Sequence, residues 1–167
     1  MKIIIHIFLA ILFSVLQPTW FDAWEIFGVK PNLFLIYIVL VSCYTSRKEG
    51  AVTGFFFGLI LDLLICENIG TNAVLMAITG FFTAQFCEYF IRNNTLPLSI
   101  LIVVPVVFFY EFIYYIVSYM GHLNMGATLI RVLLPECVYS ALVTVPMYFV
   151  VKKLAKKYWA DKGELIG

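Results

Sequence analysis

Three carboxyl groups and one guanidinium stand inside long apolar stretches of this chain: Asp62, Glu111, Glu136 and Arg131. An ionised side chain in hydrocarbon costs at least about 2.5 to 3.5 kcal/mol, so such residues must pair, share protons or line a path. One arginine cannot neutralise three acids. At least one acid is therefore expected to be protonated or bonded to a hydroxyl, and Tyr110, Tyr114 and Tyr115 flank Glu111 as donors. The chemistry open to a buried cluster of Asp62, Glu111, Arg131 and Glu136 is a polar lock, a partner site, or a proton or cation path.

A second pattern concerns shape rather than charge. Gly54, Gly58 and Asp62 follow one another at intervals of four. Each interval advances about 40° around a helix, so the three share one face about 80° wide. Small residues at this spacing let another backbone come close, whether from the same chain or from a partner. Gly80, Ala84 and Glu88 repeat the idea one helix later, with Arg92 four residues beyond Glu88 as an interfacial i,i+4 partner.

Other reactive constellations are missing. His6 and His122 have no cysteine or carboxylate at ligand spacing, and Cys43, Cys66, Cys87 and Cys137 sit singly in apolar segments as small buried side chains. There is no nucleophile elbow and no phosphate-cradling glycine loop. No metal, cofactor, catalytic group or nucleic-acid partner is expected, and the chain reads as a protein that is not an enzyme.

The elements that must position these residues are membrane helices. Hydrophobic residues make up 63% of the 167 and charged residues 13%, which excludes an ordinary soluble domain. Apolar runs at 3–16, 33–45, 51–66, 73–91, 96–120 and 127–151 predict a single all-α domain over 1–167, an integral membrane bundle of six transmembrane helices. The first three runs are short: 14 residues span only about 21 Å. They must borrow flanking residues, thin the bilayer or be shielded by neighbours, with Trp20, Phe21, Trp24 and Phe27 along the interface. Pro97, Pro105, Pro135 and Pro146 predict tilt or kinking in the last two. The first run is read as a retained helix, since no small-x-small cleavage site follows it.

With six spans and the N-terminus inside, Lys2, Arg47, Lys48, Arg92, Lys152, Lys153, Lys156, Lys157 and Lys162 face the cytoplasm, and only Lys30 and Arg131 lie outside. That bias keeps the count even and both termini cytoplasmic. The lysines at the end of the sixth run are expected to stop transfer and meet the lipid bilayer.

Lys30-Pro31-Asn32-Leu33, Gly50-Ala51, Gly54-Phe55, Gly58-Leu59, Asp62-Leu63, Gly70 and Asn72-Ala73 resemble the rod-shape-determining MreD family of bacterial inner-membrane proteins. The resemblance marks Pro31, Asn32, Gly50, Gly70 and Asn72 as family-motif positions. It implies a non-catalytic component of the cell-elongation machinery that binds the bitopic protein MreC and supports MreB, RodA and its penicillin-binding transpeptidase in peptidoglycan synthesis. It also implies a fold similar to the S components of energy-coupling-factor transporters. The face of Gly54, Gly58 and Asp62, or the outer polar pocket, is then the expected seat of MreC. The alternative is transport, as the substrate-binding S component of a vitamin ECF-type transporter. Small residues spaced by three on the first helix would favour that reading, but it offers only Ala10 and Ser14, four apart.

Overall fold

A computed structural model describes residues 2–19, 31–65, 70–90, 95–119 and 125–158. Six helices follow in order: α1 (Lys2–Thr19), α2 (Leu33–Ser42), α3 (Arg47–Ile65), α4 (Thr71–Phe90), α5 (Leu96–Tyr119) and α6 (Met125–Tyr158). The interfacial aromatics expected at Trp20 to Phe27 lie outside the described residues. Among the described residues, two stretches are long and apolar enough to cross a membrane, Leu96–Tyr114 within α5 and Pro135–Lys157 within α6.

Helix ends differ from the expected runs for local reasons. α3 begins at Arg47, four residues early, because Ser46 and Glu49 form a capping box. The Ser46 hydroxyl accepts from the Glu49 N–H at 3.4 Å, and the Glu49 carboxylate accepts from the Ser46 N–H at 3.2 Å. α2 is shorter than expected. Asn32 caps its start by accepting from the Leu35 N–H at 3.1 Å, and a turn closed by the Tyr44 N–H and the Val41 carbonyl at 2.8 Å ends it. α6 continues past 151 through Lys152, Lys153, Lys156 and Lys157, good helix formers of which the last two lie in the final turn, where positive charge meets the dipole. Pro97 falls in the first turn of α5, where its missing N–H is tolerated, and Pro105, Pro135 and Pro146 lie inside continuous helices.

All ten residues of α2 are buried, and the helix touches each of the other five. A helix apolar on every side belongs in an interior. The short second run is thus shielded by its neighbours rather than by lipid. Phe13 of α1, Phe34 and Tyr37 of α2 and Phe57 of α3 pack ring to ring around it. His6 joins them, its Nδ1 2.8 Å from the Tyr37 hydroxyl and its ring edge-on to Tyr37 and Phe57. Outside this core many large apolar side chains are exposed, among them Phe8, Phe82, Leu101, Phe109, Leu142 and Phe149.

Candidate functional site

The glycine face of α3 meets α4 of the same chain. A Cβ on Gly54 would overlap the Met76 carbonyl, and one on Gly58 would overlap the carbonyl of Asn72. One turn earlier, a Cβ on Gly50 would come within 2.8 Å of the Gly80 carbonyl, and Gly80 in turn faces the backbone of Gly50. The two backbones touch at three points over about two turns, so this face is filled from within and is not open to another protein. Replacing Gly54 and Gly58 by leucine would disrupt the fold itself, not only a complex.

Asp62 ends that face, 2% exposed, and holds the start of α4. Its Oδ2 accepts from the N–H groups of Gly70 at 2.9 Å and Ala73 at 3.0 Å, and its Oδ1 from that of Asn72 at 3.1 Å. These are amides that a helix leaves unbonded at its N-terminus, satisfied here by a carboxylate from the preceding helix. Gly70 makes the turn possible with φ of 102°, a conformation glycine adopts readily. Asn72 extends the clamp: the Tyr110 hydroxyl of α5 donates to its Oδ1. The family-motif residues therefore have identifiable places, Gly50 in the close approach, Gly70 and Asn72 in the clamp, Pro31 and Asn32 at the start of α2.

The acids expected in one cluster form two hydrogen-bonded groups, both within electrostatic reach of Tyr110. Asp62 serves the α3–α4 turn, while Glu111 of α5 and Glu136 of α6 hydrogen-bond to each other. A bond between two carboxyl groups needs one of them to carry the proton. Tyr110 donates to Asn72 rather than to Glu111, and its ring lies parallel to that of Tyr114 with centroids 6.4 Å apart. The side chains of Arg131 and Tyr115 lie outside the described residues. Among the described residues, no group of three or more His, Cys, Asp or Glu side chains could hold a metal ion.

At the opposite end of the α3–α4 pair, Arg47 Nε donates to Glu88 Oε2 at 2.9 Å and the guanidinium lies 5.2 Å from the centre of the Tyr89 ring. The hydrogen bond to Glu88, then that to Tyr89, raise the Arg47 pKa. Arg92, the expected partner of Glu88, lies outside the described residues. Just inside this end the sulfurs of Cys43 and Cys87 approach to 2.6 Å. Cys87 and Cys137 are buried and Cys43 half-buried, while Cys66 lies outside the described residues.

On its other side α4 stands apart from α5. Between them runs a cavity of about 640 Å³, walled by Leu75, Phe82 and Phe86 of α4 and by Leu101, Phe109 and Tyr110 of α5. It extends along α4 from Leu75 to Tyr89, a rise of about 21 Å. Thr79, Thr83 and Gln85 put polar groups into otherwise apolar walls. Tyr110 joins the groove to the clamp, lining the one while its hydroxyl reaches the other through Asn72. Neither the groove nor the clamp through Asn72 follows from the spacing of acids; the Gly70–Asn72 motif was the sequence signal for the latter.

A family model described as rod shape-determining protein MreD matches residues 1–158. No curated protein and no solved structure matches the chain.

Proposed function

The chain belongs to the MreD family of rod shape-determining membrane proteins, and from that premise we propose that it is a non-catalytic component of the bacterial cell-elongation machinery that binds MreC in the groove between α4 and α5. The observation that carries this reading is the groove itself. It runs for most of the length of two membrane-facing helices, with apolar walls for a lipid-soluble partner. Its hydroxyl and amide groups suit a helix able to hydrogen-bond, since such bonds and close packing drive helix association in lipid. Its α4 wall is held rigidly by the glycine contact and the Asp62 clamp. Through MreC the protein supports MreB, RodA and its penicillin-binding transpeptidase.

We read all six helices as membrane-embedded in the inner membrane, with both termini cytoplasmic. α2 crosses inside the bundle, with Pro31, Asn32 and the turn at 43–45 completing a passage too short for lipid. The nine-to-two distribution of Lys and Arg supports this orientation. The bundle is read as similar to the S components of energy-coupling-factor transporters.

The test is co-purification of the tagged protein with MreC from native membranes. Thr79→Trp fills the groove from its α4 wall, and the expected result is loss of MreC by about tenfold, equivalent to about 1.4 kcal/mol. Leu142→Trp on the outer face of α6 is expected to retain it. Full retention by a folded Thr79→Trp protein rejects the groove as the docking surface. Recovery of a coupling protein with paired ATPases in place of MreC would transfer the groove to vitamin transport.

A further inference from the structure

α6 is 34 residues long, a rise of about 51 Å against a hydrocarbon core of about 30 Å. It runs antiparallel to α5, with Glu136 bonded to Glu111 and Cys137 Sγ 4.0 Å from the Val104 carbonyl. By that pairing the start of α5 lies level with roughly Tyr148, and the last ten or so residues of α6 continue about 15 Å beyond it. This extension remains packed, because Tyr148, Val151 and Ala155 on one side of it are buried. The opposite side is thereby fixed facing outward.

That outward side carries two chemistries in sequence. Val138 is 64% exposed, Leu142 63% and Phe149 60%, with Val145 between them, and Lys153 and Lys156 follow, both exposed. Steps of three and four residues keep all six within an arc of about 80°. The apolar part, Val138 to Phe149, rises about 16 Å, the depth of one leaflet of a core about 30 Å thick. The two lysines lie about 6 to 10 Å further on, where the headgroup layer begins. Lys152 is turned the other way, its Nζ 3.0 Å from the Tyr148 hydroxyl and over that ring. Glu88, an acid at the same end, is engaged by Arg47.

We infer that this face of α6 is a binding site for one anionic phospholipid of the leaflet at the α6 C-terminus, with acyl chains along Val138, Leu142, Val145 and Phe149 and the phosphate between Lys153 and Lys156. A leaflet-deep apolar stripe ending in two ammonium groups matches an anionic phospholipid along its whole length. An acidic protein segment would match only the lysines, and a zwitterionic lipid carries a compensating cation at its headgroup. The site is separate from the groove between α4 and α5 and does not depend on what fills it.

The test is native mass spectrometry of the delipidated full chain titrated with phosphatidylglycerol and, separately, phosphatidylcholine. The wild type is expected to bind phosphatidylglycerol about tenfold more tightly, with no displacement by glycerol phosphate at equal concentration. Lys153→Gln/Lys156→Gln is expected to abolish that preference. Arg47→Gln/Lys48→Gln, which removes the same charge at the same end, is expected to keep it, and Leu142→Asn to weaken both lipids. Absence of a preference in the wild type, its survival in Lys153→Gln/Lys156→Gln, equal loss in the Arg47/Lys48 control, or displacement by glycerol phosphate would each overturn the site.

Discussion

α4 has two neighbours and meets them in opposite ways. Toward α3 it presents Gly80, Ala77 and the carbonyls of Met76 and Asn72, and the backbones touch. Toward α5 it presents Phe82 and Phe86, which with Phe109 line a groove between the two helices. Lipid tails are as apolar as leucine, so no hydrophobic force closes a gap between membrane helices. What holds them is small residues that allow contact, or hydrogen bonds that hydrocarbon cannot replace. The α3–α4 pair has both, glycines along its middle and the Asp62 clamp at one end. The α4–α5 pair is tied, among its described contacts, by the Tyr110 hydroxyl on Asn72 at one end of the groove. The first pair is therefore a fixed body and the second a face.

The most damaging way to test that contrast is to add atoms where the backbones touch. Gly54→Leu is expected to destabilise the isolated protein by more than about 3 kcal/mol, the upper end of overpacking effects, because the obstructing atoms are backbone and cannot rotate away. Thermal unfolding in mild detergent reads this, and an unchanged midpoint would make the two sides of α4 equivalent. Asp62→Ala is next. It leaves the N–H groups of Gly70, Asn72 and Ala73 without their acceptor, for about 2 to 3 kcal/mol, and Asp62→Asn, which keeps one acceptor oxygen, should fall between. Tyr110→Phe removes the tie across the groove and should be worth about 1 kcal/mol, as for interhelical hydrogen bonds in membranes. A larger loss there than at Asp62 would mean that the groove, not the glycine contact, is the rigid part.

Much of this contrast is legible in the residues, and the part that is not has a physical reason. Glycines at intervals of four and an acid one step later specify a close contact, because helical geometry fixes their common face before any fold exists. Which helix comes to that face is a matter of chain connection, and only the structure supplies α4. Depth along a helix places Asp62, Glu111 and Glu136 at similar levels, but level is one coordinate of three. Rotation about α3 turns Asp62 to the amides of the next turn, while Glu111 and Glu136 find each other. The α3 start was readable and missed: Ser46-Arg47-Lys48-Glu49 is a capping-box signature that hydropathy ignores, since it scores the first turn as polar. The groove had no signal, because phenylalanines facing lipid and phenylalanines facing a cavity are spaced alike.

The smallest effect is expected at the polar end of the hairpin, and it decides which of its two features closes it. Arg47 and Glu88 are bonded at 2.9 Å, but their side chains are 34% and 47% exposed, and exposed pairs contribute little. Arg47→Ala should shift the unfolding midpoint by no more than its experimental scatter. Any difference from wild type should shrink as added salt shortens the Debye length from about 10 Å at 0.1 M to about 3 Å at 1 M. Its pH dependence follows from the direction of the shift. Glu88 and then Tyr89 raise the pKa of Arg47, so the guanidinium's contribution is complete below the unfolded value and is lost only as pH rises through the higher folded one. Both lie far above neutral pH, so the guanidinium introduces no pH dependence between about pH 6 and 9. If instead Arg47→Ala destabilised the protein as much as Gly54→Leu, the hairpin would be held by its charged end, and the glycine face would be a consequence of that closure rather than its cause.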